Sequence, residues 1–221
     1  MSIKKANQLT MVNTAFFAVL LTLAGCVSTQ GGKGVKSGDA NKGTGIKEIA
    51  TMNFAPPQQI QWKQIQNQQK DGNILAEWVP QKNTSKNTPV RIVYRRFVSN
   101  QSASDFLLSA IQPFKKMCPD VKANAFKTKS SYANQAGAEV LCSRLGKAKF
   151  GMVSYWSVFA DGKAAHLLMS EVKTPSSEKA GVIQPKNKKQ RQWANASSQL
   201  AQLMGQFNAN VQVCDAKKQC Q

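Results

Sequence analysis

The segment from Phe150 to Phe159 constrains the chain most. Read as an extended strand, it places Phe150, Met152, Trp156 and Val158 on one side and Val153, Tyr155 and Phe159 on the other. Side chains alternate across a strand, so both sets are buried only if both faces of the sheet are covered. Asp161-Gly162 then turns the chain into a second apolar run, Ala164 to Val172. Asp-Gly between two strand-like runs is a hairpin signal. A central antiparallel pair covered on both sides therefore anchors the expected fold.

The remaining elements arrange themselves around this pair. Ile60 to Gln66 and Asn73 to Val79 form a second hairpin about Lys70-Asp71-Gly72, and Val90 to Val98 makes a third strand. Ser102 with Asp105 opens a helix whose buried face is Phe106, Leu107, Ala110, Ile111, Phe114 and Met117. Pro113 is expected to kink that helix or end its regular part, because it removes an amide and crowds the preceding turn. Ala123 to Ser130 and Ala138 to Leu145 read as two more strands. A polar segment from Pro175 to Lys189 leads to a second helix headed by Arg191, with Trp193, Ala196, Ser197, Leu200, Leu203, Met204 and Phe207 along one stripe. Trp62, Trp78, Trp156 and Trp193 are expected to share a core. The class is α+β, a mostly antiparallel sheet of six to seven strands packed with two main helices in the order βββαββββα.

The N-terminus has a different texture. Lys4 and Lys5 precede an apolar run from Met11 to Leu23, too short to span a bilayer comfortably as a helix, and Leu23-Ala24-Gly25-Cys26 closes it. These four residues resemble the bacterial lipobox. The resemblance implies a signal peptide over residues 1–25, cleavage before Cys26, and acylation of that cysteine, so that the membrane is a partner through a lipid anchor. Two or three acyl chains hold a protein on a bilayer essentially permanently, at about 0.8 kcal/mol per buried methylene. Val27 stands where an Asp would favour retention at the inner membrane in the enterobacterial sorting pattern, which points to the outer membrane, with the periplasmic face as the expected side over the cell surface. Residues 26–53 then read as a flexible tether rich in Gly, Ser and Lys, and residues 54–221 as one folded domain.

The order of elements over roughly residues 54–213 resembles the PsbP-like fold, the family that includes small bacterial lipoproteins of the DcrB type. A cystatin-like or other α+β sheet domain shares the same order. The PsbP-like resemblance implies a binding or assembly module of the cell envelope, such as a secretion or envelope complex, with a protein partner there.

Cys118, Cys142, Cys214 and Cys220 remain once Cys26 is set aside. An even number in an exported chain reads as two disulfides, with three connectivities open. Cys118 with Cys142 and Cys214 with Cys220 is the favoured pairing. No C-x-x-C pair is present and His166 is the only histidine, so neither a zinc site nor any other metal site is expected. No cofactor fingerprint occurs either.

A small hydrolase would have to use His166 or strand carboxylates such as Glu77 and Glu139, which a sheet face could bring together. No nucleophile elbow or phosphate loop accompanies them, so a non-catalytic role is preferred. The charge is more informative. The chain carries a formal +19, and residues 54–221 alone hold 24 Lys and Arg against 9 Asp and Glu. Arg91, Arg95 and Arg96 form one candidate contact group, and Lys186, Lys188, Lys189 and Arg191 another. They suit an anionic polymer such as lipopolysaccharide or acidic polysaccharide. The anchor at Cys26 makes nucleic acid an unlikely partner.

Overall fold

The computed structural model describes residues 51–118 and 120–214. Thr51–Asn53 (β1) is followed by Trp62–Lys70 (β2), Asn73–Pro80 (β3), Val90–Val98 (β4), the helix Ala103–Met117 (α1), then Val121–Ala125 (β5), Gln135–Cys142 (β6), Phe150–Ala160 (β7) and Ala164–Pro175 (β8). The helix Lys188–Ala209 (α2) and the short strand Gln212–Cys214 (β9) complete the order. Seven strands form one antiparallel sheet in the order β2-β3-β4-β8-β7-β6-β5, and β1 pairs with β9 in a second, two-stranded sheet. The α+β class and the alternation of strands and helices match the sequence reading. The pair β7 and β8 sits inside the large sheet, as apolar side chains on both faces require.

The two helices cover opposite faces. Phe114 of α1 packs edge-on against Trp156, with ring centroids 5.9 Å apart. On the other face, the Ser157 hydroxyl donates to the Asn208 carbonyl near the end of α2 at 3.2 Å. Neighbours on one strand thus contact different helices. The α2 face gathers Val90, Ile92, Phe159, Leu168, Val172, Met204 and Phe207 into one core, joined by Val211 and Val213. Gly205 permits the close approach, since a Cβ there would meet the Tyr155 ring at 3.1 Å. Asn208 is fully buried in this core, and its amide donates to the Tyr155 carbonyl and to the Ser170 hydroxyl at 3.2 and 2.9 Å.

The hairpin between β2 and β3 turns on Asp71 and Gly72, with φ of 49° and 76°, the left-handed pair that a two-residue loop needs. Ser102 caps α1 by accepting from the Asp105 amide at 3.1 Å, and the Asp105 carboxylate accepts from the Ser102 hydroxyl at 2.7 Å.

Several boundaries differ from expectation. Helix α1 runs through Pro113 to Met117, forgoing only the bond that residue 113 would donate to Ser109. Ile111 and Phe114 are buried on either side of the proline, and the Cys118 amide closes the end on the Phe114 carbonyl at 3.0 Å. Strand β5 stops at Ala125 because the chain then crosses to α2, where the Lys129 amide donates to the Ala209 carbonyl at 2.7 Å. Strand β6 stops at Cys142 because the next residues bond elsewhere. The Leu145 amide turns to the Phe150 carbonyl and the Gly146 amide to that of Met117. The last residues of the expected tether, Thr51–Asn53, are strand β1. Helix α2 begins three residues before Arg191, where the Asn187 side chain accepts from the Gln190 amide at 2.9 Å.

The disulfide between Cys118 and Cys142 is formed, with Cα atoms 5.7 Å apart, and ties the end of α1 to β6. Closing a loop of this length contributes about 3.5 kcal/mol on the chain-entropy account. Cys214 is also disulfide-bonded. Cys220 and Cys26 lie outside the described residues.

Candidate anionic-surface interface

The first candidate group does not form a surface. Strand β4 alternates, so Arg91 and Arg95 point to the α1 face and Arg96 to the α2 face. Arg91 lies between two carboxylates: its Nη1 is 3.5 Å from Glu77 Oε1, and its Nε donates to Glu171 Oε2. Glu77 is 1% exposed and Glu171 is 4% exposed. Burial pushes the Glu77 carboxyl up, against the pull of Arg91. Burial also works to lower the Arg91 guanidinium, but Glu171 and Glu77 outweigh it and hold it above its ordinary value. Arg95 is 5% exposed, and burial lowers its pKa. Arg96 reaches back to donate to the Gly72 carbonyl at the hairpin turn. The trio read as one contact group is therefore dispersed into the interior and a turn. The cause is strand alternation combined with acids on the adjacent strands β3 and β8.

The second group stays at the surface. Lys186, Lys188, Lys189 and Arg191 are all exposed, at the entry and first turn of α2, and that helix contains no Asp or Glu along its whole length. Among the described residues Arg91 forms ion pairs with Glu77 and Glu171, and no lysine pairs with an acid. Most of the carboxylates are instead drawn inward or into turns and caps. The Asp105 carboxylate accepts from the Ser102 hydroxyl at the N-cap of α1, Asp120 accepts from the Ala180 amide, and Asp161 accepts from the Lys163 and Ala164 amides. Glu139 accepts from the Tyr155 hydroxyl at 3.0 Å and the Asn124 amide at 3.2 Å. Most of the lysines are left facing water without an ion-pair partner, which gives the domain a surface of one dominant sign.

The residues considered for catalysis do not converge. His166 is 4% exposed, and its Nδ1 lies 2.8 Å from the Tyr94 hydroxyl. Burial lowers its pKa to about 4, against a smaller opposing effect of Asp161, so the ring is neutral near pH 7. Burial likewise pushes the Tyr94 hydroxyl up to about 12. The cavity beside His166, lined by Met52, Tyr132, Phe159, Asp161 and Val213, is too tight for a molecule the size of water. Glu77 and Glu139 lie on opposite faces, because Glu77 shares the face of Val93 and Glu139 that of Tyr155. The carboxylate that does join Glu77 is Glu171, which the sequence reading passed over in an otherwise apolar run. Among the described residues no cluster of His, Cys, Asp and Glu could hold a metal ion.

The four tryptophans do not share one core. Trp156 is buried on the α1 face, Trp62 and Trp78 flank the core on the α2 face, and Trp193 is 37% exposed. An open groove of about 360 Å³ runs between residues 54–59 and the end of α2, lined by Phe54, Pro57, Leu203, Phe207 and Val211.

No family model matches the chain, and no curated protein matches it. Among solved structures, LpqN of Mycobacterium tuberculosis, described as involved in cell envelope biogenesis, is similar at a TM-score of 0.44 and 11% identity, covering 77% of this chain and 87% of that one. So distant a likeness carries no argument about function.

Proposed function

We propose that the protein is a non-catalytic envelope lipoprotein, held at the periplasmic face of the outer membrane by acylated Cys26, whose basic domain binds anionic envelope polymers and a protein partner. The observation that carries the reading is the absence, among the described residues, of any ion pair on a lysine, while most of the acids are taken up by the interior, turns and caps. Charge that the fold does not consume is available to a partner. The lipobox-like Leu23-Ala24-Gly25-Cys26 supports the anchor, and the PsbP-like order of elements supports a binding or assembly role. The non-catalytic part is supported by His166, whose Nδ1 meets the Tyr94 hydroxyl beside a cavity too tight for water.

Two measurements test this reading. Labelled palmitate is expected to enter the wild-type chain and not Cys26→Ser, and equal labelling of both would remove the anchor. Retention on heparin is expected to fall steeply as salt rises, since each contacted anionic group releases counterions. Retention independent of salt would remove the electrostatic part. Crosslinking in intact cells then identifies the protein partner.

A further inference from the structure

We infer that the start of α2, from Lys186 to Trp193, is a bilayer-docking arm that rests on anionic lipid headgroups. The inference builds on the proposed envelope-surface role and names the partner of its cationic patch.

Three observations lead to it. First, none of the nine residues from Lys188 to Ala196 is buried, and the first buried side chain of the helix is Ser197. The opening turns of α2 thus run past the part of the helix that the core covers. Second, Trp193 belongs to the inward stripe of α2, in helical register with Ser197, Leu200 and Met204. Ser197 and Met204 are buried, whereas Trp193 at the outer end of the stripe is 37% exposed. Third, Lys186, Lys188, Lys189 and Arg191 are exposed within the seven residues that precede Trp193, with no acid in the helix and no ion pair to a described residue.

A wide apolar ring carrying one N–H, set among long cationic side chains, is the composition suited to the boundary between headgroups and acyl chains. The cations meet lipid phosphates while their methylene stems and the indole lie against the apolar layer. An acidic polysaccharide would satisfy the cations but would offer Trp193 no apolar layer. Charge complementarity together with the exposed indole therefore favours an anionic bilayer as the occupant. Near such a surface each Lys or Arg is worth about a fivefold change in binding.

The test uses the full chain on vesicles of brominated phosphatidylglycerol and of brominated phosphatidylcholine, with bromine quenching of tryptophan emission as the readout. The difference between wild type and Trp193→Phe isolates this indole from the other three. Quenching that depends on Trp193, is confined to phosphatidylglycerol and is lost in the quadruple variant K186Q/K188Q/K189Q/R191Q is the expected result. Equal quenching on phosphatidylcholine, no quenching dependent on Trp193, or quenching unchanged in the quadruple variant overturns the inference. Retention on heparin by a chain showing no vesicle quenching also overturns it and assigns the patch to a polymer. Flotation separates the two readings. A chain that floats with vesicles but shows no Trp193 signal sinks the docking arm alone. A chain that fails to float with phosphatidylcholine vesicles sinks the lipid anchor, and phosphatidylglycerol vesicles added to it still read the arm.

Discussion

Strand β4 and the start of α2 hold cations of the same chemical kind, and the fold treats them in opposite ways. On β4, Arg91 is enclosed between Glu77 and Glu171 and Arg95 is buried beside them. On α2, Lys188, Lys189 and Arg191 stand in solvent with no acid on the same helix. The difference is set by neighbours and not by the residues themselves. A strand deals alternate side chains to opposite faces, so an arginine on the inner face must find acids on the adjoining strands. A helix that outruns its core leaves every side chain of its first turns at the surface. Two runs of positive charge that look alike in sequence therefore end differently, one drawn into the sheet beside buried acids and one left at the surface.

The contrast is tested most strongly at Arg91. Arg91→Met strands two buried carboxylates, and the expected loss of stability is about 3–5 kcal/mol, measured by urea unfolding. Replacing Glu77, Arg91 and Glu171 together by apolar residues of similar size is expected to cost much less, because no uncompensated charge remains. A mild effect of Arg91→Met alone would place that cluster with the surface cations and break the distinction.

The other face supplies a second buried titratable group. His166 is held neutral, with a folded pKa near 4 against an ordinary value of 6.5. The unfolded chain binds the proton more readily, so the stability contributed by the neutral ring is complete above pH 6.5 and is lost as pH falls toward 4. The loss is on the order of 3 kcal/mol at most. Unfolding free energies across pH 4–7 are expected to fall more steeply toward acid for wild type than for His166→Phe. Parallel profiles would show that the imidazole is not desolvated.

The smallest expected effect is on the arm. Lys186→Gln, Lys188→Gln, Lys189→Gln and Arg191→Gln are each expected to change stability by less than about 0.5 kcal/mol, as substitutions away from core and caps usually do. A thermal melt of the quadruple variant checks this. A large destabilisation would mean that these cations support the fold, as Arg91 does.

Much of the fold was legible in the sequence because its signals are local. The two-sided apolar pattern of Phe150 to Phe159, the Asp71-Gly72 and Asp161-Gly162 turns and the Ser102 cap each act within a few residues. The site was less legible because its facts are long-range. Nothing near Arg91 in the chain announces Glu171, eighty residues away, as its partner. The lone acid in the apolar run of β8 was the available signal, since a carboxylate there must meet a cation across the sheet. Trp193 misled for the opposite reason. Its helical register is that of a core residue, and only the point at which the core ends leaves it exposed. Asn208 beside Phe207 carried a comparable hint, because an amide at the end of an apolar stripe needs buried partners, which Tyr155 and Ser170 supply.

The pairing of β1 with β9 has a mechanical consequence. Thr51 lies opposite Cys214, so the two ends of the described domain are neighbours. Tension arriving from the N-terminal side reaches β1 first, where three residue pairs, Thr51 with Cys214, Met52 with Val213 and Asn53 with Gln212, oppose it. That grip is only as firm as the hold on β9. The burial of Val211 and Val213 in the α2 core supplies that hold and carries the strain into the body of the domain.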